Sequence, residues 1–216
     1  MPADDPGVRA VRDAILQARG AVPAAHSALV AVSGIDGCGK GFVTAGIAAA
    51  LRAHSLRVAV INIDGWLNLP AQRFSSTAPA EHFYRHAIRF DVLFADLVLP
   101  LRERRSLRVE TDHADETATA FRRREYAFED VDIIVLEGIF LLKAEFRRHY
   151  DLAVWVECSF ATALERAVAR SQEGLPPEET IRAYETIYHA AQRIHLARDD
   201  PRGAATLVID NDLTSE

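Results

Sequence analysis

Along the chain, short unbroken apolar runs alternate with longer stretches in which apolar residues recur every three or four positions. The runs at 29–32, 57–63, 132–136, 152–157 and 205–210 are short enough to be strands buried on both faces. Between them, 42–51, 81–101, 160–171 and 177–197 carry helical spacing. The segment 7–19 places Val8, Val11, Ile15 and Leu16 on one face, with Asp4 or Asp5 near its start and Gly20 past its end, which predicts an amphipathic entry helix. A loop with Pro70 and Pro79 spans 69–81, and alternating apolar positions on both sides of DHADET predict a two-stranded arm within 106–128.

Strand, helix, strand, insert, strand, strand, helix pair, strand is the order of a parallel sheet covered on both faces. No linker, repeat or low-complexity stretch divides residues 1–216, so a single α/β domain is expected. Within it the N-terminal helix occupies about 1–20, a hairpin insert about 104–128 and a lid about 166–178, where Gly174, Pro176 and Pro177 break the helix.

The first apolar run leads into Gly34-Ile35-Asp36-Gly37-Cys38-Gly39-Lys40-Gly41, the Gly-x4-Gly-Lys core of a Walker A loop. Such a core alone arises by chance in about one chain in fifteen of this length, so the strand before it and the helix after it carry the assignment. In that setting consecutive backbone N–H groups turn inward on a polyphosphate, Lys40 reaches its terminal oxygens, and the helix start adds further donors. After the lysine a Ser or Thr normally puts a hydroxyl on Mg²⁺, whereas this chain has Gly41, and Thr44 is almost a turn too far along. Either water completes the metal shell, which Mg²⁺ readily accepts, or nucleotide is bound without efficient turnover.

Two acids end apolar runs. Asp64 follows the second run, where a carboxylate points into the ligand crevice of an open α/β sheet, or caps a turn. Glu137 follows the third, at the position where a Walker B acid reaches Mg²⁺, or is a structural strand end. Arg166 and Arg170 share a helix face, as a lid pair for phosphate or as solvated arginines. His82 and His86 lie one turn apart without an evident third ligand, which suits surface histidines or a substrate contact better than zinc.

Composition narrows the partners. The 216 residues are 49% hydrophobic and carry a formal charge of −6, so no broad basic field attracts nucleic acid. The arginines of 102–105 and 122–124 are short runs interleaved with Glu. Two cysteines, Cys38 and Cys158, in no metal-ligand spacing suit a reducing cytoplasm. The N-terminus does not read as a signal peptide, and no apolar run has membrane-spanning length.

The stretches SGIDGCGKG, INIDGW, FYRHAIRFD, VLEGIFLL, LERAVARSQEG and IYHAAQRIHLARDDPRGAATLVIDND, in this order between Leu29 and Asn211, resemble the uridine kinase-like members of the P-loop kinase group that also holds phosphoribulokinases and pantothenate kinases. The resemblance implies a three-layer α/β/α fold with a five-stranded parallel sheet and a lid. It also implies ATP as phosphoryl donor, Mg²⁺, a small hydroxylated acceptor such as uridine or cytidine, and room for a homo-oligomer. Carried onto this sequence, residues 34–41 with Arg166 and Arg170 bind ATP, Lys40 grips the phosphates, and Asp64 orients and deprotonates the acceptor. Glu137 lies near the metal with Asp64, while Tyr84 and His86 contact the acceptor. Arg85, Ala87 and Ser171 replace residues of the family pattern, in the acceptor segment and after the lid arginine. Two rival readings are a nucleotide-binding regulator without turnover, suggested by Gly41, and a nucleic-acid-acting P-loop protein, which the acidic balance opposes.

Overall fold

A computed structural model describes residues 1–170 and 174–212. Helix α1 (Pro6–Ala21) begins where the Asp5 carboxylate accepts from the N–H groups of Gly7 and Val8 at 2.8 and 3.2 Å, and Pro6 supplies a preset φ at its first turn. It buries Val8, Val11 and Ile15. Gly20 lies inside this helix rather than past it, because Val22 closes the last turn by donating to the Arg19 carbonyl.

The five predicted strands appear as β1 (Ala28–Gly34), β2 (Val58–Asn62), β5 (Ile133–Gly138), β6 (Leu152–Glu157) and β7 (Leu207–Asp210), paired in parallel in the order β2-β5-β1-β6-β7. Every residue of β1 and β5 is buried, as central strands covered on both faces require. Helix α2 (Lys40–Arg52) follows β1 directly. The arm forms as β3 (Leu107–His113) and β4 (Arg122–Phe128), an antiparallel pair with its own register from Leu107↔Phe128 to His113↔Arg122.

The predicted loop at 69–81 holds a short helix, α3 (Pro70–Arg73), before α4 (Pro79–His86). The helix predicted over 81–101 is divided: α4 stops at Ala87, and α5 covers 90–104 with a π turn at Leu93–Val98. Pro100 explains the widening, since it has no N–H for the carbonyl four residues back and its ring crowds that position. Helix α6 (Phe160–Arg170) and helix α7, over 177–199 with a π turn at Tyr184–Tyr188, complete the cover. No helix among the described residues is long and apolar enough to cross a membrane.

The register brings the chemistry together. Asn62 of β2 and Val32 of β1 both stand opposite Glu137 of β5. Asp64, two residues beyond Asn62, and the glycine-rich loop beyond Val32 therefore leave the sheet at the same carboxyl end as Glu137.

Candidate active site

At that end lies a cleft of about 520 Å³, lined on one side by Asp36, Gly37, Gly39, Lys40, Gly41, Asp64, Glu137 and Arg170. The loop closes only because its glycines have no side chains. Gly37 and Gly39 hold φ of 81° and 85°, and a Cβ on Gly37 would press into the Ala163 carbonyl. Gly41 is different, since a Cβ there would meet nothing within 4 Å.

Lys40 is 7% exposed, and its Nζ donates to the Ile35 carbonyl at 3.0 Å. Burial works against its charge, but the Cys38 sulfur and the carboxyls of Asp36, Glu137 and Asp64 outweigh it and raise its pKa. Glu137 is 6% exposed; burial raises its pKa, with Lys40 opposing. Asp64 sits in a 3-10 turn fixed by its own N–H donating to Asn62 Oδ1 at 2.7 Å. Burial, then the neighbouring Glu137, push its pKa up to about 7 against the pull of Lys40. One ammonium therefore faces two carboxyl groups that both resist ionisation, an arrangement that favours an additional cation.

Arg170 closes the cleft from α6, with Nη2 at 3.7 Å from Asp36 and 3.5 Å from the Tyr184 hydroxyl. Tyr184, fully buried in the π turn of α7, donates to Asp36 Oδ2 at 3.1 Å. Ser171, the departure after the lid arginine, and the middle of the predicted lid lie outside the described residues. Arg166 reaches round the outer side of the loop instead, donating to the carbonyls of Cys38 and Asn211 at 3.3 and 2.9 Å, while Asn211 Nδ2 donates to Cys38 at 2.7 Å. Gly34, Ile35 and Cys38 are buried members of the loop, and burial raises the thiol pKa of Cys38.

The other end of the cleft is apolar. Leu67, Phe74, Phe83, Ile139, Leu175 and Tyr188 line it together with Arg73 and Glu116, while Asn62 lies beside Asp64 and Glu137. Phe74 and Phe83 stack at 5.8 Å, and Tyr188 meets Phe83 edge-on at 5.1 Å.

The two expected acceptor contacts stand elsewhere. Tyr84 turns inward to donate to Asp199 Oδ2 at 2.6 Å, within a buried cluster that includes His195. His86 is exposed and packs on His82, with ring centroids 4.6 Å apart. Helix α4 presents Phe83 to the cleft, one position from where the motif drew attention. Among the described residues no group of three or more His, Cys, Asp and Glu is arranged to hold a metal ion.

Sequence reasoning missed Arg73, Phe74, Glu116, Tyr184, Tyr188 and Asn211. The spacing of Tyr184, Tyr188 and His189 was the available signal, since a helix face rich in rings opposite the loop needs a reason to be there.

Solved structures share this architecture. A protein described as a possible uridine kinase from Bacillus stearothermophilus superposes with a TM-score of 0.72 at 21% identity, covering 94% of this chain and 97% of that one. A candidate fructose transport system kinase from Silicibacter gives 0.70 at 20%, covering 94% and 98%. D-glycerate 3-kinase from Cryptococcus neoformans gives 0.66 at 14%, covering 97% and 98%. The fold is that of the P-loop kinases. Residues 29–175 match the phosphoribulokinase/uridine kinase family, and the chain belongs to that family. No curated protein matches the sequence.

Proposed function

We propose that this protein is an ATP-dependent kinase that transfers the γ-phosphoryl group to a hydroxyl of a small acceptor, a pyrimidine nucleoside such as uridine or cytidine before other alcohols. The observation that carries this reading is that Asp64 lines the same cleft as the glycine-rich loop, Lys40 and Glu137, with the aromatic side chains of Phe74, Phe83 and Tyr188 in its wall; burial and Glu137 raise its pKa to about 7. A carboxyl poised there can accept a hydroxyl proton near neutrality.

The loop amides and Lys40 hold the β and γ phosphates, and Arg170 swings from Asp36 onto the transferred group as α6 closes. Asp64 takes the proton of the acceptor hydroxyl as its oxygen bonds to the γ phosphorus; the bond from that phosphorus to the β–γ bridging oxygen breaks, and ADP leaves with the electron pair. Mg²⁺, when bound, neutralises charge on the β and γ oxygens, and Glu137 and Asp64 are the carboxylates that would hold it. Gly41 gives no hydroxyl, so the protein would hold a metal through carboxylates alone, which Mg²⁺ accepts because it readily keeps waters. The aromatic wall suits a flat ring, and closure around it keeps water from competing for the phosphoryl group.

The test is an acceptor screen on purified protein with Mg-ATP, read by product mass. A phosphorylated nucleoside is expected, and failure with nucleosides, sugars and simple hydroxy acids alike would reject the kinase reading.

Gly41 favours one alternative, a nucleotide-binding regulator with little turnover. Because a serine side chain has open space there, Gly41→Ser separates the two. A change of a few-fold supports the kinase, and a rise from near zero supports the regulator.

A further inference from the structure

The apolar end of the cleft contains a positive charge that phosphate chemistry does not use. Arg73, the last residue of α3, lines the cleft yet is only 6% exposed. Its Nη2 donates to the Glu116 carbonyl at 2.5 Å, and its guanidinium lies 4.9 Å from the centre of the Phe74 ring. Its Nε has no hydrogen-bond partner, and among the described residues no carboxylate pairs with it. Burial lowers its pKa, with Tyr188, Glu116 and Asp115 opposing more weakly.

A guanidinium this buried, with one carbonyl and, among the described residues, no carboxylate in ion-pair contact, costs stability that an apolar side chain would not. Such groups persist where a ligand completes them. The phosphate end already has Lys40 and Arg170. Arg73 and Asp64 line the same cleft, and Glu116, whose carbonyl accepts from Arg73, lines it with them.

Building on the kinase reading above, we propose that Arg73 is the residue that reads the acceptor, and that the acceptor must offer it an oxygen. That oxygen is the ring carbonyl of a base seated on Phe74, Phe83 and Tyr188, or the carboxylate of a small hydroxy acid. Guanidinium has only donors, so a substrate that presents only donors at this point leaves both sides unsatisfied and is rejected.

The test is calorimetric titration of uridine, D-glycerate and D-ribose into wild type, Arg73→Met and Arg73→Lys, each saturated with Mg²⁺ and a non-hydrolysable ATP analogue. For whichever oxygen-bearing ligand binds wild type, Arg73→Met weakens binding about 10- to 100-fold, the loss expected for a hydrogen bond to a charged group. Arg73→Lys recovers part of it. Uridine as the sensitive ligand identifies a ring carbonyl, and glycerate a carboxylate. Ribose, which offers neither, binds both proteins alike.

Melting adds a readout that a structural role would not give, since Arg73→Met leaves the ligand-free melting temperature unchanged or higher. If Arg73→Met does not fold, Arg73→Lys decides by whether it weakens the sensitive ligand several-fold. Equal binding of uridine and glycerate to wild type and variant, failure of both to bind wild type, or a parallel loss of ATP-analogue affinity each overturns the proposal. Arg73-dependent binding without phosphoryl transfer would reject the kinase reading alone, and transfer whose acceptor KM is indifferent to Arg73 would reject this inference alone.

Discussion

The two ends of the cleft are built in different ways. The phosphate end is made of backbone, with two positive-φ glycines, the start of α2 and acids fixed by the register of β2 and β5 around Glu137. The aromatic end, proposed above to take the acceptor, is made of side chains from four separate segments: Arg73 and Phe74 after the second strand, Phe83 of α4, Glu116 between the arms of the hairpin, and Tyr188 in a π turn. Backbone geometry tolerates few residue types and so leaves a motif. A wall of rings can be assembled from many sequences, which lets one fold serve acceptors of different chemistry.

The largest effect should fall where the two ends meet. Asp64→Asn should lower kcat by about 10²- to 10⁴-fold, the usual value of a positioned base, while ATP-analogue affinity measured by calorimetry changes only a few-fold. A parallel collapse of nucleotide binding would instead assign Asp64 to the phosphate end. Next, Gly37→Ala should weaken nucleotide binding by about 10- to 100-fold, because a Cβ at φ 81° against the Ala163 carbonyl stores on the order of 1–3 kcal/mol of strain. Acceptor binding measured without nucleotide should be spared, and its loss would erase the division between the ends.

The reverse pattern is expected for Phe74→Leu. Losing one ring of the wall should raise the acceptor KM about tenfold, within the 1–3 kcal/mol range of base stacking on an aromatic side chain, and leave the KM for ATP in place. A shift in both constants would mean that the wall also serves the nucleotide.

A smaller and more specific signature is pH. Asp64 must be ionised to take a proton, and burial and Glu137 push its pKa up to about 7. Acceptor kcat/KM should therefore rise with pH on an acid limb that lies at or below about 7, since a divalent cation held by Asp64 and Glu137 favours the ionised form, and the residual rate of Asp64→Asn should lack that limb. Stability runs the other way. A carboxyl whose folded pKa lies above its unfolded value of about 3.9 contributes fully below the unfolded value and loses that contribution as pH rises through about 7. Thermal melts of the wild type should show this decline relative to Asp64→Asn.

The fold was legible because unbroken apolar runs and helical spacing report burial directly: the five strands of a parallel sheet and a hairpin within 106–128 are where the pattern put them, while the strand order β2-β5-β1-β6-β7 was not read from it. Local overrides were not legible. Pro100 widened α5, and the Asp5 cap with the Val22 closure carried α1 through Gly20. In the site, Lys40, Asp64, Glu137 and Arg170 meet in one cleft, because loop and strand ends fix their directions. Tyr84 and His86 were singled out by a motif whose helix faces cannot be assigned without the tertiary packing of α4, where Asp199 draws Tyr84 inward. Arg73 carried no local signal, and only burial without a carboxylate in ion-pair contact distinguishes it from any surface arginine.

The most direct test is single-turnover transfer of labelled γ-phosphoryl from ATP to uridine by wild type and Asp64→Asn, with nucleotide affinity measured on the same preparations. The account predicts labelled uridine monophosphate from wild type and at least about a hundredfold slower transfer by the variant, at nucleotide affinities that agree within a few-fold. Absence of transfer to any hydroxyl acceptor despite bound ATP, or undiminished transfer by Asp64→Asn, would contradict it.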